Sequence, residues 1–358
     1  MTALQLPDFS MRRAIRVAGL FAISAGISFS PLAGSAQRGQ SGSWRIQYVD
    51  DDNRVQLELG DFDRDHSRWS TGSSVSLSSL DGLSSRQLRG PSNNAHFTMK
   101  RDAGTFTFDG SVGNNRGSGQ FGFTADSRFA AGLASRGYAR PDADQQFQLA
   151  LYDIGYSYLD ELKSQGYRRP SIDDLVTMGQ HGVSANYLRD MRQLGYRLGD
   201  VQELVDMRDH GVTPAFITGL RQLGLARLSS AKLLEMRDHG VTPSYVSGMR
   251  ESGYSNLGPD DLVELRDHGI TRDYVSALAD LGFKGLTTDD LLTARDHGVT
   301  ASFADGFRKL GYTSISLTQL VRLRDHGVTP EFAARLRGRD GAALSIQELI
   351  NRRDRGDQ

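Results

Sequence analysis

Apolar residues along this chain follow two different periods. Between residues 43 and 124 they alternate with polar ones: Trp44, Ile46 and Tyr48, then Val55, Leu57 and Leu59, then Phe97 and Met99, Phe106 and Phe108, Phe121 and Phe123. Alternation puts one side of an extended chain in a core and the other in water, so the segment predicts about five or six half-buried strands. Gly110 to Gly119, rich in Gly, Asn and Ser, predicts a long hairpin loop between the last two.

From about residue 126 a longer unit takes over, with a spacing of 29 residues. His181, His210, His239, His268, His297 and His326 obey it, as do the aromatics Phe129, Tyr158, Tyr187, Phe216, Tyr245, Tyr274, Phe303 and Phe332. So do the glycines Gly137, Gly166, Gly195, Gly224, Gly253, Gly282 and Gly311. Three series in one register mark a repeat architecture, and the aromatic one counts eight copies.

Each copy reads as two short helices. Thr213-Pro214, Thr242-Pro243 and Thr329-Pro330 supply an N-cap oxygen followed by a proline at the first helical position. Phe216, Ile217 and Leu220 then share one face, and Gly224 stands where a left-handed C-cap is wanted. A second start signal recurs at Asp200, Ser229, Thr287, Ser316 and Ser345, and Ser345 with Glu348 has the spacing of a capping box. The second helix has a stripe (Leu204, Val205 and Met207 in one copy) and ends at the His-Gly step. Helices of about ten residues are too short to persist alone, so each copy must bury its stripe on the next.

The predicted fold class is therefore α+β: a small antiparallel β-rich module followed by an α-solenoid of eight two-helix repeats. The expected divisions are a leader at 1–36, a β-rich module at 37–125 and the helical array at 126–358. Asp126 stands in the N-cap register and Phe129 opens the aromatic series, so the β module is expected to cap the array without a flexible linker. At the other end Asp340 occupies the glycine position, Arg355 the histidine position and Arg352 the place of Met207, which predicts a polar C-terminal cap.

The leader carries Arg12, Arg13 and Arg16, an apolar run from Val17 to Ile27, and Gly34-Ser35-Ala36 as a small-residue cleavage site. That is the layout of a signal peptide, with Met11 as an alternative start, and it predicts a periplasmic or secreted protein. Ser28, Ser30 and Pro31 break the apolar run before it reaches the roughly 20 residues of a membrane span. Removing the leader takes away Asp8 and three arginines, which shifts the formal charge from −1 to −3. A chain so close to neutral lacks the basic face that nucleic acid requires. Cysteine is absent, so no disulfide supports the exported fold.

The run Arg208-Asp209-His210-Gly211 recurs at 237, 266, 295 and 324 and invites a metal or catalytic reading. Packed helices lie about 8–10 Å apart, whereas two imidazoles on one zinc need Zn–N distances of about 2.0–2.1 Å. The histidine ladder is therefore read as structural, closing helix ends, with Asp209 bonding the next helix start or an arginine of a neighbouring copy. No HExxH, GxSxG or GxxxxGK[ST] occurs, and His66 and His96 stand alone in the β context. These observations predict a non-enzymatic protein with no catalytic residue, cofactor or metal. The aromatics after the glycines, such as Tyr138, Tyr196 and Tyr254, are read as helix-end contacts rather than a ligand stripe.

The repeat, as in His239-Gly240-Val241-Thr242-Pro243 through Gly253-Tyr254, resembles the repeats C-terminal to membrane metallopeptidases of the β-lactam sensor-transducer family. Arg101-Asp102-Ala103-Gly104-Thr105-Phe106 resembles the module preceding such repeats, so the resemblance spans residues 44 to 350 or so. It implies an extracytoplasmic accessory region and carries over no functional residue, since the peptidase motif and membrane bundle are missing. The expected function is an exported scaffold recognising a protein or envelope component. The alternative is an extracytoplasmic small-ligand sensor or accessory signalling module with its pocket in the β module. Nothing in the sequence sets an oligomeric state.

Overall fold

The computed structural model describes residues 41–49, 53–62, 67–197, 199–341 and 344–356, with the side chains of 61–69 and 340 left aside. The leader, Met11, Ala36 and His66 lie outside the described residues. Six strands form one antiparallel sheet: β1 (Ser41–Val49), β2 (Arg54–Phe62), β3 (Ser67–Ser76), β4 (Asn93–Arg101), β5 (Gly104–Gly113) and β6 (Arg116–Ala125). Their order is β3-β2-β1-β6-β5-β4, so the first and last strands pair at the centre.

The alternation seen in the sequence sets the register. Trp44 faces Leu59, Ile46 faces Leu57 and Tyr48 faces Val55, while Phe106 pairs with Phe123 and Phe108 with Phe121. All are buried on one face, where Trp44 meets Phe97 edge-on at 5.2 Å. The opposite face, with Arg45, Gln47, Gln56, Glu58, Ser111 and Ser118, is exposed, as an antiparallel sheet permits.

The inner face is closed by residues 77–89, whose contribution the alternation did not reveal. A 3-10 turn (Leu77–Ser79) and the short helix α1 (Ser85–Arg89) bury Leu77, Leu80, Leu83 and Leu88. Helix α1 begins with a full capping box, Ser84 with Gln87, a signal that was present in the sequence. Asp81 pairs with Thr98 and covers the outer edge of β4.

The long loop expected at Gly110–Gly119 is not there. Strands β5 and β6 continue to a two-residue turn at Asn114 and Asn115, with φ of +53° and +64°. Asparagine tolerates this left-handed pair, and such turns match the twist of the strands they join. The glycines lie within the strands, where Gly110 and Gly119 stand opposite one another beside Trp44.

Sixteen helices follow as eight pairs, all in the 29-residue register. They are α2 (Ser127–Ser135) with α3 (Ala143–Leu151), α4 (Tyr156–Ser164) with α5 (Ile172–Gln180), α6 (Ala185–Gln193) with α7 (Val201–Asp209), and α8 (Pro214–Gln222) with α9 (Ser230–Asp238). Then come α10 (Pro243–Glu251) with α11 (Pro259–Asp267), α12 (Arg272–Asp280) with α13 (Thr288–Asp296), α14 (Ala301–Lys309) with α15 (Leu317–Asp325), and α16 (Pro330–Asp340) with α17 (Ile346–Asp354). Nearly all have nine residues, and like helices stack: α4 on α6, α5 on α7, α8 on α10.

The predicted punctuation closes both ends. Thr213 Oγ1 accepts from Phe216 N at 3.1 Å, and Thr242, Thr271, Thr300 and Thr329 do the same in their copies. At the C-terminus of α7, Gly211 N donates to Arg208 O and Val212 N to Met207 O, which is a Schellman closure with Val212 fully buried against Met207. It needs a residue of positive φ after each ladder histidine, and the six glycines there have φ between +66° and +71°.

Candidate functional site at the repeat interfaces

The six ladder histidines each occupy the C-cap of a second helix, and none faces another histidine as a ligand partner. Each Nδ1 instead meets the aspartate of the next copy: His181 with Asp209 at 2.7 Å, His239 with Asp267 at 2.6 Å and His326 with Asp354 at 2.9 Å. His210 with Asp238, His268 with Asp296 and His297 with Asp325 complete the series. This corrects the expected role of Asp209, because its partner is the histidine of the preceding copy rather than an arginine or a helix start. Among the described residues no three His, Cys, Asp or Glu side chains form a group able to hold a metal ion.

The arginine of the same run reaches backward as well. Arg208 lies over the Tyr187 ring at 5.6 Å and donates from Nε to Gly182 O at 3.2 Å. Arg237 over Phe216, Arg266 over Tyr245, Arg295 over Tyr274, Arg324 over Phe303 and Arg353 over Phe332 repeat the contact at 5.0–5.5 Å. Such stacking contributes about 0.5–1 kcal/mol where the ring is partly exposed.

Where the aromatic is tyrosine, its hydroxyl finishes the interface. Tyr158 donates to Val183 O at 2.8 Å, Tyr187 to Val212 O at 3.1 Å, Tyr245 to Ile270 O at 3.0 Å and Tyr274 to Val299 O at 2.9 Å. Burial pushes Tyr187 and Tyr245 up to about 12, against the opposing pull of Arg208 and Arg266, and it raises Tyr158 further. The aromatics after the glycines close first helices, as Tyr196 N does on Met191 O. Tyr196, Tyr254 and Tyr312 also donate to Leu228, Leu286 and Leu344 carbonyls at 2.8 Å.

The junction with the sheet alters this scheme residue by residue. Tyr152 stands at the histidine position of the first copy, and its hydroxyl lies 2.9 Å from Thr71 Oγ1 in β3. Gly179 stands at the arginine position of the second copy, where an added Cβ would come 2.7 Å from Tyr152 Cβ. Gly155 caps α4 without a side chain, and Asp102 Oδ2 in the β4–β5 turn accepts from Tyr156 N at 2.8 Å in its stead. Gln146, 6% exposed, donates to Ala103 O and Asp126 O. Arg101 Nε lies 3.2 Å from Asp153 Oδ1, near enough to pair though not aligned for a hydrogen bond. The Arg101-Asp102-Ala103 turn thus joins the sheet to the first two copies, which its sequence alone did not disclose.

At the far end, α16 runs on to Asp340 and closes at Gly341, whose φ is +74°. Ser345 accepts from Glu348 N, but the Glu348 carboxylate bonds Arg352 at 3.1 Å, so the predicted reciprocal box is half made. Arg352 therefore keeps a partner at a position that is apolar elsewhere. His96, outside the array, pairs with Asp109 at 2.6 Å on the open sheet face.

Neither a family model nor a curated protein matches this chain. Its functional reading rests on the interfaces and on the surface they leave. That surface includes a shallow depression of about 500 Å³ on the open face of the sheet, bordered by Arg45, Gln47, Glu58 and Arg116.

Proposed function

We propose that this chain is an exported, extracytoplasmic interaction protein whose helical array recognises another protein or an envelope component, with no catalysis of its own. The observation that supports this is a division of labour among its residues. Side chains that repeat from copy to copy are engaged between copies, whereas exposed positions outside those contacts change their chemistry. The second residue of the first helices is exposed in every copy and reads Arg128, Ser157, Asn186, Ala215, Ser244, Asp273, Ser302 and Glu331. A uniform scaffold with a varied surface is how stacked repeats distinguish partners. The leader pattern supports export, and the resemblance of the repeat supports an accessory role at the envelope. Among the described residues no helix is long and apolar enough to cross a membrane.

Affinity capture from an envelope fraction tests the reading, comparing the chain with an Asp273→Arg, Ser302→Glu double variant of equal melting temperature. A reproducible partner whose retention drops in the variant is expected. Absence of any such partner across growth conditions overturns it.

The sheet depression favours a second reading, a small-ligand sensor seated in the β module. A ligand bound only by the folded state raises the melting temperature. An increase lost in Arg116→Ala would assign function to that face instead.

A further inference from the structure

One repeat interface departs from the rest. Between the first and second copies lies a cavity of about 440 Å³, lined by Arg136, Tyr138, Asp160, Lys163, Tyr167 and Arg169 beside the buried Pro170. At the register of Pro170 the third copy has Gly199, and the copies after it have Leu228, Leu257, Leu286, Ile315 and Leu344, which pack against the core. Three of those leucines accept the tyrosine hydroxyl of the preceding copy. Tyr138 holds the same register, yet its hydroxyl makes no hydrogen bond among the described residues.

The charges depart from the pattern too. Arg221, Arg308 and Arg337 reach back to the carbonyls of Leu194, Leu281 and Leu310 and close their interfaces. Lys163 replaces that arginine and makes neither ion pair nor hydrogen bond among the described residues. Arg136 occupies the position of those same leucines. Arg169 is held in place, donating to Gly137 O at 3.1 Å with its guanidinium over the Tyr138 ring at 5.6 Å. Three cations thus face a single carboxylate, Asp160, around a space of ligand size.

We propose that this cavity binds a small organic anion, a ring compound bearing a carboxylate or a phosphate ester. Arg169 and Lys163 neutralise the anionic group, Tyr138 hydrogen-bonds it, and the Tyr167 ring contacts the body of the ligand. Arg169 suits the first task because its planar fork matches either oxyanion and is already oriented. The site is independent of the partner surface proposed above.

Calorimetric titration of the full chain at low salt tests the assignment, with glucuronate, glucose 6-phosphate and inorganic phosphate as probes and glucose as the neutral control. Saturable binding of at least one anionic sugar is expected, with glucose silent. Comparing the two sugars separates carboxylate from phosphate, and weaker binding of inorganic phosphate supports the role of the ring. Lys163→Gln should weaken binding about tenfold and Tyr138→Phe severalfold, both at unchanged melting temperature, since neither the Lys163 ammonium nor the Tyr138 hydroxyl makes a hydrogen bond among the described residues. Arg227→Gln, at the register position of Arg169 in the fourth copy, should change nothing. No saturable binding, equal binding of glucose, inorganic phosphate binding as tightly as the sugars, or indifference to Lys163→Gln would each overturn the proposal.

Discussion

Replacing Phe147 by alanine should loosen the sheet from the array while leaving distant copies alone. Phe147 is 5% exposed, with ring centres of Phe106 and Phe123 at 5.4 Å and Phe121 at 6.1 Å. Truncating a buried phenylalanine removes its transfer free energy and leaves a cavity, at a cost of about 3–5 kcal/mol. With a urea dependence of about 1–3 kcal/mol/M, this lowers an unfolding midpoint by on the order of 1–5 M. Both tryptophans, Trp44 and Trp69, precede the array, so indole fluorescence follows the β module and the helical circular dichroism band follows the repeats. Phe307→Ala provides the control: Phe307 is equally buried, but in the seventh copy. In a stack where copies touch only their neighbours, it should shift the helical transition and spare the indole midpoint. The reasoning is refuted if Phe147→Ala leaves the indole midpoint in place, or if Phe307→Ala moves it as far.

Four further outcomes are expected. Gly179→Arg, which restores the residue of later copies, should destabilise the junction because Tyr152 fills the space, and a lowered melting temperature checks it. Asp102→Ala should cost about 0.5–2 kcal/mol by uncapping α4. Gly155→Ser, crowded by Asp102 in the native chain, should recover part of that loss in the double variant, as measured by urea unfolding. Raising the pH should unfold the array late: the Tyr187 and Tyr245 hydroxyls are pushed up to about 12, so their contribution is intact below the ordinary tyrosine value near 10 and is lost as pH rises toward 12. Spectrophotometric titration should show tyrosinate appearing together with loss of helical signal, and full ionisation with the helices intact would contradict this. The backbone amide and hydroxyl of Thr287 hold Asp290 below its usual carboxylate range. Asp290→Asn should therefore destabilise at neutral pH and converge with the native chain as acid protonates the aspartate.

Much of the architecture could be read from residue types at fixed spacing. Thr-Pro starts, glycine stops and strand alternation act locally, so Thr213, Gly224 and Trp44 announced their roles without neighbours. Contacts between copies were harder. His181 and Asp209 are separated by 28 residues, and only stacking in register brings them together. Asp209 could equally have met an arginine of a neighbouring copy, but Arg237 of the next copy is engaged with Phe216. The glycines from Gly110 to Gly119 misled because glycine signals both loops and close strand approach, and the deciding residues were Asn114 and Asn115. Glu348 had the spacing of a cap but found a cation, Arg352, within one helical turn. The cavity at Tyr138 was invisible because it arises from what Pro170 and Lys163 replace.

The histidine-to-aspartate contacts all point the same way along the chain, which gives every interior copy a head and a tail. The head of one fits the tail of any other, whereas Tyr152 and Arg355 leave the two termini unable to extend the series. Duplicating residues 213–241 in place would therefore add an interface that keeps the histidine-to-aspartate contact of its neighbours. Array length is in that sense a free parameter of this architecture, adjustable by whole units while both ends stay unchanged.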